Sequence, residues 1–209
     1  MDAVIIIGKN LSPTLAKARA NGAYVFGADQ GAKYCLDHQI RLDSFVGDFD
    51  SVNEEEKHRI LTCGAVIEEL NPHKDVTDTA HALSLCKWFN RVTILGGVMG
   101  DRIEHFLANV DLLRSRPNTC FMEDDDSFIV VLDHTRMNVS RNEWEYVSVF
   151  ALTEAKVTLL GMEYPLEHRD LMPGDPIGVS NQIKEDSGAI LSESGLLLVV
   201  LHRKKTVSQ

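Results

Sequence analysis

The feature that most constrains this chain is a change of rhythm near Pro117. Before it, short runs rich in β-branched and aromatic residues alternate with longer helix-like stretches. The runs are Val4–Ile7, Tyr24–Phe26, Ser44–Val46, Ala65–Glu68 and Val92–Leu95. The stretches between and after them are Ser12–Asn21, Ala32–His38, Asn53–Cys63, Thr77–Phe89 and Asp101–Arg116. Such alternation implies βαβ crossovers and a mostly parallel sheet covered on both faces. In the last stretch Ile103, Phe106, Leu107, Val110 and Leu113 recur at helical spacing, which predicts one buried face.

After Pro117 the helical period disappears. Thr119–Met122, Ser127–Leu132, Tyr146–Leu152, Lys156–Leu160, Ile177–Ser180 and Leu196–His202 read as strands, separated by turn residues such as Pro173-Gly174-Asp175 and Asp186-Ser187-Gly188. The sequence therefore predicts two domains: an α/β domain over 1–117 and an all-β sandwich over 118–209. The acidic run Glu123-Asp124-Asp125-Asp126 near the junction reads as a solvated loop.

Charge narrows the function classes. A net charge of -10 argues against nucleic-acid or anionic-membrane partners, which need basic surface. No apolar run approaches the ~20 residues of a membrane span. The start, Met1 to Gly8, has no basic leader and reads as a buried strand. Four scattered cysteines at 35, 63, 86 and 120 form no CxxC, so reduced thiols in a cytoplasmic protein are expected.

In an open α/β sheet, ligands bind beyond the carboxyl ends of the strands, and the polar residues of the first half collect there. After Ser44–Val46 comes Gly47-Asp48-Phe49-Asp50-Ser51. If that segment stays extended, Asp48 and Asp50 project to one side and suit a hard divalent cation such as magnesium. Equally, Asp50 or Ser51 could cap the helix that follows. After Tyr24–Phe26 comes Gly27-Ala28-Asp29-Gln30-Gly31-Ala32, whose small residues would let a ligand approach the backbone. After Ala65–Glu68, Lys74 offers charge to a phosphate, while Asp75 and Asp78 either hold metal or substrate or, with Thr77, start a helix. After Val92–Leu95, Gly96-Gly97-Val98-Met99-Gly100 leads into Asp101-Arg102-Ile103-Glu104-His105. A glycine-rich turn at a helix start suits an anion, and Arg102 could engage phosphate oxygens with both its nitrogens. Neither a Walker A loop nor GxGxxG occurs, which disfavours P-loop kinases and dinucleotide dehydrogenases.

Taken in order, these clusters resemble the thiamine pyrophosphokinase family. Ala28-Asp29-Gln30-Gly31-Ala32 resembles its ADGGA, Asp48 to Ser51 with Gly47 match its GDFDS in full, and Lys74 to Asp78 match its KDxTD in full. Gly100 to His105 resemble its GGRxDH, with Asn109 at the usual offset. Gly161-Met162-Glu163-Tyr164 and Ser180-Asn181 resemble its C-terminal segments. Gln30, Asp101, Glu104 and Tyr164 depart from the pattern.

The resemblance implies an ATP-handling N-terminal domain, a thiamine-binding C-terminal domain and a homodimer. It implies diphosphate transfer from ATP to the thiamine hydroxyl, giving thiamine diphosphate and AMP. Asp48, Asp50 and Asp75 would hold magnesium, with Asp78 and Arg102 completing the catalytic set. Asp29, Gln30, Lys74, Thr77, Arg102 and His105 would bind ATP, and Tyr164, Ser180 and Asn181 would bind thiamine. The alternatives are a related diphosphotransferase acting on another hydroxymethyl heterocycle, pterin-like, and a silent thiamine- or nucleotide-binding module.

Overall fold

The computed structural model describes residues 1–8, 11–71, 75–98 and 102–204. The chain divides into two compact units: 1–112 with 122–125, and 113–121 with 126 onward.

The first unit starts with β1 (Ala3–Ile6), α1 (Pro13–Ala20), β2 (Tyr24–Ala28), α2 (Gln30–Asp37) and β3 (Ser44–Gly47). It continues with α3 (Glu54–Thr62), β4 (Val66–Glu69), α4 (Asp78–Leu85), β5 (Val92–Leu95) and α5 (Ile103–Ser115). β1 pairs in parallel with β2 on one side and β5 on the other, and β3 and β4 extend the sheet beyond β2, also in parallel. Between β1 and β5 the strand order reverses, the place where sheets of this kind open a crevice. β1 and β3 are buried along their whole length, as strands with both faces covered must be. Their Ile6 and Phe45 pack with Val25, Ile60 and Leu95 in one core. Each such side chain contributes roughly 1.5–3 kcal/mol by leaving water.

Helix starts follow local capping chemistry. Asn53 and Glu56 form a reciprocal capping box on α3, each bond 2.9 Å long. α1 begins with Pro13, whose missing N–H costs nothing at that position. Ser12 Oγ accepts from Leu15 N–H at 3.3 Å to cap it.

Only the second half of the acidic run, Asp125-Asp126, is an exposed loop; the first half is buried. Glu123 and Asp124 are 1% and 2% exposed. Arg19 grips Glu123 with two hydrogen bonds of 2.6 and 2.7 Å. Asp125 accepts both the N–H and the hydroxyl of Ser12, at 2.6 and 2.5 Å, at the positive end of α1. Gripped by a guanidinium, Glu123 tolerates a burial that a bare carboxylate would not, while Asp125 and Asp126 stay exposed.

β6 (Cys120–Glu123) lies where the chain passes between the units. The second unit then comprises β7 (Ser127–Ser140), β8 (Trp144–Ala151), β9 (Ala155–Leu160), β10 (Leu166–Leu171) and β11 (Ser187–Arg203). The pairings of β7, β8, β9 and β10 with one another and with β11 are antiparallel. β7 and β11 pair along nearly their whole length, with a break between Ser192 and Leu196. Before the break β11 also pairs with β9, and after it with β8. Two long strands thus tie the unit together around a core that includes Val130, Trp144, Val157, Leu159 and Leu197. The bend needs Gly195: its φ is +72°, and a Cβ there would stand 2.1 Å from the Glu154 carbonyl oxygen.

Three expectations need correction. Ile177–Ser180 is not a strand; its apolar residues line a cavity described below. β10, Leu-Glu-His-Arg-Asp-Leu, is a strand that no apolar alternation announced, because its central residues are exposed. On α5, Ile103 and Leu107 are 70% and 58% exposed, while Asn109 and Leu113 are buried. The inner face is therefore rotated toward Asn109, which lies beside the Gly97 turn.

Candidate active site

At the carboxyl end of β3 the chain does not stay extended. Phe49 takes a φ of +64° and is buried, stacking on Phe45 with ring centroids 4.2 Å apart. Burying that ring turns the backbone, so Asp48 and Asp50 meet through a turn: Asp50 N–H donates to Asp48 Oδ1 at 3.2 Å. The Asp50 carboxyl is held above the usual carboxylate range. Its hydrogen bond to Asp48 is the main cause, followed by the Asp48 charge, burial, and the charges of Asp29 and Asp78. Carboxylates from the ends of β2 and β3 and from the start of α4 therefore crowd one another. Neither Asp50 nor Ser51 caps α3, a role Asn53 fills.

Asp29 sits in an unusual backbone conformation, φ +52° and ψ -122°, at the start of α2. Its carboxylate accepts the Ser51 hydroxyl, which ties the β2 end to the β3 turn. Sequence reasoning gave Ser51 no role beyond capping, although its place in GDFDS was the available signal. Among the small residues around Asp29, Gly31 has a packing role. A Cβ on Gly31 would stand 1.7 Å from the Ile6 carbonyl oxygen, so Gly31 serves close packing of α2 on β1. Gln30, the first residue of α2, is exposed.

Thr77 caps α4, its hydroxyl accepting from Ala80 N–H at 3.1 Å. Asp78 occupies the first turn of that helix and Asp75 is exposed just ahead of it. Lys74 lies outside the described residues, as do Gly100 and Asp101. Gly97, at the end of β5, has a φ of +76°, and a Cβ there would meet Ile7 at 2.3 Å. Arg102 is exposed and its Nε donates to Glu104 at 2.7 Å. That hydrogen bond is the main reason the Glu104 carboxyl lies below its usual range. His105 is exposed on the first turn of α5.

Among the described residues no three His, Cys, Asp or Glu side chains converge on one point. Magnesium seldom needs that: one or two carboxylates, with water and substrate phosphate oxygens, complete its shell. The crowding of negative charge at Asp48 and Asp50 fits such a cation.

In the second unit a cavity of about 420 Å³ is lined by Glu163, Tyr164, Pro165 and Leu166 from one side and by Ile177, Gly178, Val179 and Asn181 from the other. That volume lies within the range of small-molecule sites. Asn181 is 2% exposed and spends its side chain on the protein. Its Oδ1 accepts from Tyr164 N–H at 3.1 Å and Gln182 N–H at 2.9 Å, and its Nδ2 donates to the Tyr164 carbonyl at 2.7 Å. The Tyr164 ring, fixed at its backbone in this way, is 70% exposed. Ser180, with a φ of +56°, uses its N–H on Ser148 Oγ at 2.9 Å and is not among the lining residues.

A parallel sheet with acidic strand ends in one unit, and a cavity with an aromatic wall in the other, define a two-unit class in which each unit carries its own candidate site. Residues 15–121 match the thiamin pyrophosphokinase catalytic domain, and residues 134–197 match the thiamin pyrophosphokinase vitamin B1 binding domain. The chain is 28% identical to the thiamine pyrophosphokinase of Bacillus subtilis (strain 168) over 92% of its own length and 93% of the relative's. The crystal structure of thiamine pyrophosphokinase from Bacillus subtilis superposes with a TM-score of 0.86 at 26% identity, covering 98% of this chain and 100% of that one. A thiamin pyrophosphokinase family protein from Enterococcus faecalis gives 0.81 at 26% identity, covering 98% and 100%. The chain belongs to the thiamine pyrophosphokinase family, and with it to the transferases. The match of 134–197 to a vitamin B1 binding domain does not favour a pterin-like acceptor.

Proposed function

We propose that this chain transfers diphosphate from ATP to the primary hydroxyl of thiamine, releasing AMP, and that the Asp48–Asp50 turn is the centre of that chemistry. The observation that carries this reading is the crowding of Asp48, Asp50, Asp29 and Asp78, visible in the raised Asp50 carboxyl. An acidic edge that repels itself calls for a cation, and ATP arrives with one.

Asp48 and Asp50, with Asp75, hold magnesium. The ion neutralises phosphate charge when bound. Asp78 completes the acidic edge and Ser51 keeps Asp29 directed toward it. Lys74 and Arg102 take up phosphate charge, Arg102 after leaving Glu104. Asp29, Gln30, Thr77 and His105 form the nucleotide contacts. Positioning and charge stabilisation dominate phosphoryl-type transfers, so fixed carboxylates and cations are what this reaction asks of a protein. In the second unit Tyr164 offers its ring face to the flat cationic thiamine, with Asn181 holding that residue in place and Ser180 contributing a hydrogen bond. The protein acts as a homodimer in the cytoplasm. Its four free thiols, and the lack of any helix among the described residues long and apolar enough to cross a membrane, support that location.

The test is an incubation of purified protein with ATP, magnesium and thiamine, with products separated by chromatography. AMP appearing in step with thiamine diphosphate supports the proposal. ADP with thiamine monophosphate, or no product from a protein that binds both substrates, refutes it.

A further inference from the structure

The cavity wall begins on a strand that is out of register. Between Leu166 and Arg169, β10 places two residues, Glu167 and His168, opposite the single residue Thr158 of β9. On the other side of β9, β11 carries its own extra residue, Glu193, between Ser192 and Ser194. One bulge thus lies opposite Thr158 and the other a residue further along β9, at the step from Val157 to Lys156. His168 sits at a φ of +46°, a conformation that costs a side-chain-bearing residue energy and persists only where neighbours enforce it.

A closed set of hydrogen bonds does so. Thr158, 6% exposed, donates its hydroxyl proton to Glu193 Oε1 and accepts His168 N–H at 2.9 Å. The His168 ring closes the set through Nδ1 to Glu193 Oε2, 2.7 Å away. Leu166, which lines the cavity, is the last residue of β10 in register before the bulge, and Pro165 and Tyr164 precede it directly. Bulges of this kind re-aim neighbouring side chains beside functional sites.

We propose that Thr158, His168 and Glu193 are positioning residues that pin the β10 bulge and so fix the Tyr164–Leu166 wall against the second substrate. The inference rests on the reading of this cavity as the thiamine site. It assigns the work to backbone geometry: His168 matters because its N–H and its left-handed backbone hold the bulge, and its ring need not touch thiamine.

The experiment measures KM for thiamine, KM for ATP, kcat and direct thiamine binding by calorimetry in five variants. Thr158→Val removes both hydroxyl bonds and should raise thiamine KM and Kd at least fivefold, leaving ATP KM and kcat within twofold. Thr158→Ser should restore wild-type values. His168→Val, β-branched and ill-suited to positive φ, should mimic Thr158→Val. His168→Gly, at ease there, should stay within twofold of wild type. Equal losses in His168→Gly and His168→Val would show that the imidazole itself matters and overturn the proposal. So would unchanged thiamine binding in both Thr158→Val and His168→Val. Tyr164→Ala separates the two readings. If it too leaves thiamine binding intact, the cavity assignment has failed; if it alone weakens binding, the cavity stands and the pin is wrong. Should Thr158→Val not fold, the two His168 variants decide the matter alone.

Discussion

Replacing Asp50 by Asn should make the protein more stable and inactive. The Asp50 carboxyl is raised because Asp48, Asp29 and Asp78 disfavour its charge, so at neutral pH the ionised cluster works against the fold. The sign follows from linkage: a carboxyl whose folded pKa exceeds its unfolded value costs stability once pH has risen through both. Two like charges at ~4 Å in bulk water repel by about 1 kcal/mol. Asp50 is exposed, so solvent and salt leave on the order of half of that. A gain of roughly 0.5 kcal/mol in a chain of this size raises Tm by about 1–2 °C. The neutral amide keeps the Asp50 N–H bond to Asp48, so the turn itself should survive. The assay is thermal unfolding with and without magnesium and ATP, beside turnover. Wild type should gain stability when magnesium and ATP are added. Asp50→Asn should start higher, gain less, and lose turnover at least a hundredfold. A variant that melts lower than wild type and still turns over normally refutes the reasoning at both points.

Other consequences follow from single residues. Gly195→Ala combines a positive φ with a carbonyl 2.1 Å away, whereas Gly174→Ala has positive φ and open space. Left-handed strain of about 1–2 kcal/mol applies to both, and overpacking adds about 1–3 kcal/mol to Gly195→Ala alone, so urea unfolding should separate the two by at least 1 kcal/mol. Glu104→Ala frees Arg102 from its exposed partner and should lower KM for ATP by about twofold, a small effect because exposed pairs are weak; an unchanged or higher KM removes Arg102 from the phosphate set. Burial pushes the Cys35 and Cys120 thiols up to about 12, and Cys86 is also buried. Iodoacetamide at neutral pH should therefore label Cys63 first in the native protein and all four thiols in urea, read by mass spectrometry.

The first unit was legible because its inner strands, β1 to β3 and β5, are largely buried on both faces, and such strands are nearly continuous apolar words; β4, at the edge, is exposed. Val92–Leu95 runs as β5 over the same residues. The second unit obeys a different rule. Its β10 has polar residues at its centre because both sides there meet water, so no alternation marked it. Ile177 and Val179 alternate because they face a cavity, and they mimicked a strand. On α5, five apolar residues at helical spacing suggested a face that the fold places partly outside, with Asn109 inside. At the site, DFD read as an extended pair, but the demand to bury Phe49 bent it. The bulges on either side of β9 were out of reach, since register depends on which strands meet.

The long last strand has a consequence for how the chain acquires its fold during synthesis. All five strands of the parallel sheet, β1 to β5, are complete by residue 95. That sheet can begin to assemble while the rest is still being made. β7, β8 and β9 all find partners in β11, which begins only at Ser187. The edges of these strands that β11 fills stay open until it emerges, some sixty residues after the start of β7 at Ser127, although β9 can meet β10 sooner. Closure over such sequence distances is slow and leaves strand edges open in the meantime. Late synthesis is therefore the interval in which this protein most needs shielding from its own copies, and it is the β11 strand, Ser187–Arg203, that ends it.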